Sequence, residues 1–358
     1  MTSAGGTGSG LRVVVVGATG NVGTSLIDTL SRDPAVGAIV GVSRRSPRWR
    51  APKTEWVAAD IVDADLVELF DGADVVVHLA WLFQPTHRPL TTWRANVIGG
   101  RRVFDAVARA GVPALVYASS VGAYSPGPKD RSVDENWPTD GWPIAGYTRE
   151  KAYLERALDA FEQQHREIRV VRLRPGFIFK HEAASQQRRL FAGPLLPGRL
   201  VRPGLIPVVP DLPGLRFQVL HTADAAEAYR LAALRDVRGA FNIAADPVVD
   251  ARLLAECLHA RTVRMPSGPV RAALAAAWHL HLVPAAPHLL DAVLRLPIMD
   301  IGRAGTELGW SPRHSSREAI ESFLHGLRTT GGMATGPLAP RLEGGRLAEA
   351  GTGIGQRP

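Results

Sequence analysis

The chain has a single cysteine, Cys257, in 358 residues. That rules out an intrachain disulfide framework and a multi-cysteine metal knuckle, and it makes a reducing cytoplasmic setting the expectation. Lysine is nearly as scarce: of 42 basic residues only four are lysine, at positions 53, 129, 151 and 180. The arginines that make up the rest are scattered singly or in small pairs, with no basic arm or nucleic-acid motif. The net charge of +8 therefore predicts a basic surface, not a nucleic-acid partner. Long apolar runs are missing too. The most apolar stretch, residues 269–297, is interrupted by Arg271, three histidines and several prolines, so no transmembrane segment is expected. It reads as two apolar helices around Pro284 and Pro287, suited first to capping a substrate pocket, then to a homodimer face, then to touching a membrane surface. Metal ligands are sparse as well: His279 and His281 point to different helix faces and no nearby acid or cysteine completes a set, so no metal is expected. The opening residues 1–10, "MTSAGGTGSG", lack the layout of a signal peptide and read as a flexible lead. Residues 329–358 have little to bury and read as a disordered tail.

What is present is an alternation of short apolar runs and amphipathic helices. Runs at 11–16, 38–43, 55–60, 74–80, 114–120 and 168–175 read as strands, with helices between them and a further strand near 239–245. The near-continuous valines of "LRVVVV" suit a strand buried on both faces. The pattern predicts an α/β protein with a doubly wound parallel sheet, occupying residues 11–175. Residues 176–328 read as a smaller, mainly helical substrate-binding region, with a segment of about 216–245 returning to the sheet.

Between the first strand and first helix lies "GATGNVG", with glycines at 17, 20 and 23. Glycines there permit a tight turn and a close approach of backbone to phosphate, and the helix N-terminus favours the pyrophosphate charge. A dinucleotide cofactor follows. About 20 residues on, a carboxylate would select NAD and an arginine NADP. The sequence offers Ser43, Arg44 and Arg45 and no acid, which favours NADP over NAD. Asp60 comes too late for the ribose and is placed for the adenine amino group.

A second anomaly sits in "YTREKAYLERALDAF". Leu154, Ala157, Leu158 and Phe161 mark one buried helix face, and extending that seam backward reaches Lys151 and then Tyr147. A lysine on a core-facing seam is costly without a partner.

Taken in order, Gly17-Ala18-Thr19-Gly20-Asn21-Val22-Gly23, Asp60-Ile61, His78-Leu79-Ala80, Asn96, "YASSVGAY" and "YTREK" resemble the extended short-chain dehydrogenase/reductase family, NAD(P)-dependent epimerase/dehydratase-like proteins with a Rossmann fold. The resemblance spans about residues 11–326, is most specific over the first 180, and includes "LGWSPR" at 308–313. It implies that Tyr147 is the acid/base, that Lys151 binds the nicotinamide ribose and lowers the Tyr147 pKa, and that Ser120, with Ser119 as its rival, hydrogen-bonds the substrate oxygen. A neighbouring cation would indeed favour tyrosinate. It further implies cofactor contacts from Thr19, Asn21, Val22, Ile61, Leu79, Ala80, Asn96, Leu173 and Pro175. Trp81 stands where many relatives have a small or polar residue, so its ring would shape the pocket floor.

Three functional readings are compatible with this pattern. Epimerisation of a nucleotide sugar would need cations for the diphosphate, for which Arg188, Arg189, Arg216 and Arg252 are available. Reduction or oxidation of an apolar ketone or alcohol is supported by Trp81 and the stretch 269–297. A non-catalytic NADP-sensing regulatory protein is disfavoured by the intact Ser120, Tyr147 and Lys151. Sugar dehydration is disfavoured because Val121-Gly122 follow Ser120 where dehydratases of the family carry acids, although Asp134 and Glu135 lie nearby in sequence.

Overall fold

A computed structural model describes residues 10–193, 198, 201 and 204–341. The first strand, β1 (Leu11–Val16), leads through the glycine turn into α1 (Asn21–Ser31), and β2 (Val36–Ser43), β3 (Thr54–Ala58) and β4 (Val75–His78) follow. Then come α2 (Gly99–Arg109), β5 (Ala114–Ala118), α3 (Gly146–Gln164) and β6 (Arg169–Pro175). Beyond these lie α4 (Thr222–Leu234), β7 (Gly239–Ile243), α5 (Ser267–His279), α6 (Pro287–Val293) and α7 (Ser316–Thr329).

β-branched side chains are stiff and fit an extended, doubly covered strand, and β1 shows both faces in use. Val13 and Val15 pack with Leu26, Ile27 and Leu30 of α1 and with Ala225, Ala228 and Tyr229 of α4. Val14 and Val16 pack on the other side with Val103, Phe104 and Val107 of α2 and Leu154, Leu158 and Phe161 of α3. The Leu154 seam is therefore the buried face of α3. The sheet has seven strands in the order β7-β6-β5-β4-β1-β2-β3, every neighbouring pair parallel. This is the doubly wound Rossmann sheet. The strand order reverses between β1 and β4, and ligands bind such sheets outside the carboxyl ends of the strands at that point.

Within residues 216–245, β7 adds the edge strand beside β6, and α4 packs against α1. Trp310 of "LGWSPR" is buried and its indole N–H donates to Asp224 O at 2.9 Å.

The tail differs from expectation. Residues 330–341 are packed, with Leu338 fully buried and Thr335 only 3% exposed. Composition undervalues such a segment, because it is held by one leucine and by side chains that donate to its carbonyls, Arg189 to Pro337 O at 2.8 Å and Ala339 O at 2.9 Å. Residues 342–358, and 1–9 of the flexible lead, lie outside the described residues. Among the described residues, no helix is long and apolar enough to cross a membrane, and no group of three or more His, Cys, Asp or Glu is arranged to hold a metal ion.

Candidate active site

The carboxyl end of β5 delivers two adjacent serines, and the fold gives them different surroundings. The Ser119 hydroxyl donates to Glu155 Oε1 at 2.5 Å, inside the protein. The Ser120 hydroxyl accepts from the Gly122 backbone N–H at 2.9 Å and lies on the side of Gly122 that faces the Tyr147 ring. Gly122 is required there, since a Cβ would lie 2.7 Å from the Tyr147 ring.

Tyr147 and Lys151 occupy the first turns of α3, one turn apart and on one face. Lys151 is only 4% exposed. Its ammonium donates to Ala118 O at 2.6 Å and lies 3.6 Å from the centroid of the Trp81 ring and 5.1 Å from that of Tyr117. Burial brings its pKa down to about 7, against the pull of Glu155 and Glu150. The Tyr147 phenol is pushed up to about 12 by burial, with the nearby Ser120 hydroxyl opposing. In the protein alone, burial and not Lys151 sets the phenol, because the ammonium is turned to a carbonyl and to the Trp81 face.

This predicts a stability cost at Lys151. A depressed lysine pKa destabilises the fold fully below pH 7 and ceases to do so above about 10.5, since the unfolded chain binds the extra proton between those values. At 1.36 kcal/mol per pH unit the charged form costs on the order of 5 kcal/mol, of which the Trp81 contact returns roughly 2 kcal/mol. Lys151→Met should thus raise stability at pH 6–7 by roughly 1–3 kcal/mol. The gain should shrink as pH rises toward 10, read from urea midpoints across pH. A variant less stable than the parent at pH 6 would contradict this.

An aromatic wall surrounds Tyr147, made by Trp81 together with Phe83 and Phe191, which the sequence did not single out. Phe83 stacks on its ring, centroids 5.1 Å apart and planes 12° from parallel. Trp81 meets it edge-on at 5.6 Å, and Phe191 meets Phe83 edge-on at 5.7 Å. The wall is fixed from behind. Asn96, in a π-helical segment Arg94–Ile98, accepts from Leu82 N at 2.7 Å and donates to Leu82 O at 2.9 Å and Glu150 Oε2 at 2.7 Å. Both polar atoms of Asn96 are thereby engaged in holding the chain between Trp81 and Phe83. The apolar stretch buttresses the same segment: Gln84 donates to Pro284 O at 3.2 Å, and His87 stacks on Trp278 at 4.0 Å.

The glycine turn is a cradle that side chains would fill. Gly17 has φ +89°, and a Cβ on it would lie 2.6 Å from Ala80 N; a Cβ on Gly23 would lie 2.3 Å from Gly17 O. Gly20 caps α1 with no side-chain hydrogen bond, leaving the first-turn N–H groups of Asn21, Val22 and Gly23 for an anionic ligand. The turn is anchored through Asn21, which donates to Ile178 O and accepts from Thr222. These residues fit a dinucleotide. Leu79 N donates to Val16 O at 2.8 Å, placing Leu79 and Ala80 beside Gly17. Ser43 ends β2, its hydroxyl donating to Arg45 O at 2.8 Å, and Arg44 and Arg45 follow as exposed residues. Asp60 lies two residues beyond β3 and caps Val62 N, while Ile61 packs against Gly99. Leu173 is fully buried in the core on the α1 side of the sheet, and Pro175 ends β6 beside Ile243.

Comparison with known proteins agrees with this geometry. The family model for the NAD dependent epimerase/dehydratase family matches residues 13–244. An uncharacterized protein of Mycobacterium tuberculosis is 26% identical over 344 residues, covering 88% of this chain and 83% of that protein. The L-arabinose 1-dehydrogenase (NAD(P)(+)) of Haloferax volcanii is 34% identical over 110 residues, 30% of this chain and 41% of the relative. The fold is that of the UDP-glucose 4-epimerase of Thermus thermophilus in complex with NAD, with TM-score 0.66, 20% identity, and coverage of 89% of this chain and 99% of that one. With its parallel seven-stranded sheet, glycine turn and Ser120, Tyr147 and Lys151 gathered at one edge, the chain belongs to the NAD-dependent epimerase/dehydratase family of extended short-chain dehydrogenases/reductases.

Proposed function

We propose that this protein is an NADP-dependent reductase that interconverts a carbonyl and its carbinol in an apolar substrate, with Tyr147 as the acid/base. The observation that carries the reading is the Tyr147 phenol, set beside Ser120 and walled by Trp81, Phe83 and Phe191. Surroundings of this composition favour an apolar substrate with one polar handle.

Four arginines that the sequence offers for a nucleotide diphosphate make contacts within the protein. Arg188 donates to Gly193 O at 2.6 Å and Arg189 to Pro337 O and Ala339 O. Arg216 donates to Lys129 O, and Arg252 pairs with Glu256 at 3.2 Å. The relative from Haloferax volcanii, a dehydrogenase named for both cofactors, is consistent with net oxidation and reduction in such chains.

When bound, the nicotinamide supplies or accepts the carbon-bound hydrogen together with its electron pair. The protein's own residues handle the oxygen. Ser120 orients the substrate oxygen, and Tyr147 donates its phenolic proton to that oxygen as the carbonyl becomes a carbinol, or takes it back in the reverse direction. A phenol whose pKa burial raises is protonated at neutral pH, the form that donates a proton when the carbonyl is reduced. Lys151 would hold the ribose hydroxyls, and Arg44 and Arg45 the 2′-phosphate.

The test is a panel of aryl and alkyl ketones assayed with NADPH and NADH, with UDP-glucose epimerisation run in parallel. Ketone-dependent NADPH consumption is expected, with no change to UDP-glucose. NADPH should bind about 10–100-fold more tightly than NADH, the value of one or two charge-assisted hydrogen bonds, and the double variant Arg44→Ala, Arg45→Ala should erase the difference. Epimerisation of UDP-glucose without ketone reduction would replace this reading, and equal affinities in the intact protein would refute the cofactor preference.

A further inference from the structure

The glycine turn is covered by a segment more than three hundred residues away in sequence. The Thr335 hydroxyl donates to Thr19 O at 3.0 Å, in the middle of "GATGNVG", and this bond is buried. Two residues earlier, Met333 Sδ lies 4.0 Å from the Lys180 ammonium, which itself donates to Thr24 and Ser25 on the first turns of α1, at 2.7 and 3.0 Å. Between them the chain closes on itself, Met333 N donating to Leu338 O at 2.9 Å, with Leu338 wholly buried. The entry to this segment is fixed at the end of α7, where Gly331 N donates to Gly326 O at 2.7 Å and a Cβ on either glycine would strike His181 O. Its far end is gripped by Arg189. Arg189 belongs to the short π-helical segment Arg188–Ala192, which also carries Phe191 of the wall over Tyr147.

We propose that residues 331–341 form a strap that closes over the pyrophosphate cradle and governs release of the dinucleotide, resting on the reading of the glycine turn as the cofactor site. The geometry gives the strap two attachments with different consequences. Thr335 fastens it to the turn that would hold the pyrophosphate. Arg189 fastens it to the element that completes the substrate wall, so an open strap loosens both sides of the site at once. The strap lacks strand or helix hydrogen bonding to the sheet, and segments held by few buried groups open locally at lower free energy than the core. Cofactor exchange then requires a local opening and leaves the sheet intact, and that opening is the slow step of turnover.

The experiment compares the full chain, a chain ending at Thr330, and full-length Leu338→Ala, all loaded with NADPH. Release is followed by the nicotinamide fluorescence after trapping with excess NADP, and far-ultraviolet circular dichroism with thermal melts reports the fold. Both altered proteins should keep the sheet's signal and release NADPH at least tenfold faster, with a weaker equilibrium affinity. Leu338→Ala keeps every residue of the chain and decides the matter if truncation alone unfolds the protein. Release at the parental rate from a folded variant would overturn the strap, as would tighter binding, which would mark the segment as an obstruction. Failure of the intact chain to bind any dinucleotide would instead overturn the reading of the glycine turn.

Discussion

Tyr147→Phe should lower turnover by about a thousandfold or more, within the range lost when a positioned proton donor is removed, while leaving cofactor affinity near the parental value. The substitution deletes one oxygen and keeps the ring that Phe83 stacks on and Trp81 meets edge-on, so the aromatic wall survives. It also deletes a phenolic hydroxyl set beside Ser120, and even a hydrogen bond lost there is worth about 1 kcal/mol net. The fold should therefore melt within a few degrees of the parent, which separates a chemical loss from a structural one. Ser120→Ala provides the internal comparison. It removes the group that orients the substrate oxygen and leaves the proton donor, so its loss should be smaller, and Gly122 N would forgo its hydroxyl acceptor. Tyr147→Phe retaining more than a tenth of parental turnover would mean that the proton travels by another group.

The parts of this site that were legible in the sequence are those written in local spacing. The valine run of β1 followed by glycines at three-residue intervals could be read because strand, turn and helix N-terminus are contiguous. The Tyr147–Lys151 pair could be read because a four-residue offset on a helix fixes a shared face. Assignment between Ser119 and Ser120 rests on resemblance; in the structure the Ser119 hydroxyl donates to Glu155, and the Ser120 hydroxyl lies beside Gly122 and the Tyr147 ring.

What was not legible depends on contacts between distant segments. Phe191 reaches the wall from beyond β6, and Thr335 reaches the glycine turn across 316 positions of sequence. No pattern within either segment announces its partner. Asn96 was readable as a polar residue near the site, but its commitment to Leu82 and Glu150 depends on how α3 lies against the loop after β4. Residues 330–341 depart from expectation because composition measures how much a segment buries on average, and here one leucine and a few donors to its carbonyls suffice. One signal was present and unused. Arg172 and Arg174 lie two apart on a strand and so share a face, and Glu155 lies one turn past Lys151 on α3.

Those three residues form the buried charge cluster behind the site, and Glu155→Gln should destabilise the protein by roughly 3–5 kcal/mol at pH 7. Glu155 is wholly buried, and its carboxylate receives Arg172 at 2.9 Å and Arg174 through two bonds, at 2.9 and 3.0 Å. Burial by itself would push the carboxyl up, but the Arg174 and Arg172 guanidiniums and the Ser119 hydroxyl hold it at about 2. A folded value below the ordinary 4.5 means stability that is present in full above pH 4.5 and lost as pH falls through about 2. The interval corresponds to roughly 3 kcal/mol, in keeping with the cost of leaving a buried cation short of its partner. Arg172 keeps Asp159 and Glu162 in the variant, so most of the penalty falls on Arg174, whose remaining contacts are Tyr124 and the Glu135 carbonyl. Urea midpoints measured from pH 7 down to pH 3 should show the gap between parent and variant narrowing only below about pH 4.5. A pH-independent difference of under 1 kcal/mol would show that the cluster contributes no net charge stabilisation. The same substitution bears on catalysis through position: an amide at 155 cannot anchor Ser119 as an ionised acceptor does, and Ser119 sets the backbone from which Ser120 reaches Tyr147. Turnover should therefore fall with an unchanged acid/base profile, because the proton donor is untouched and only its partner's placement has loosened.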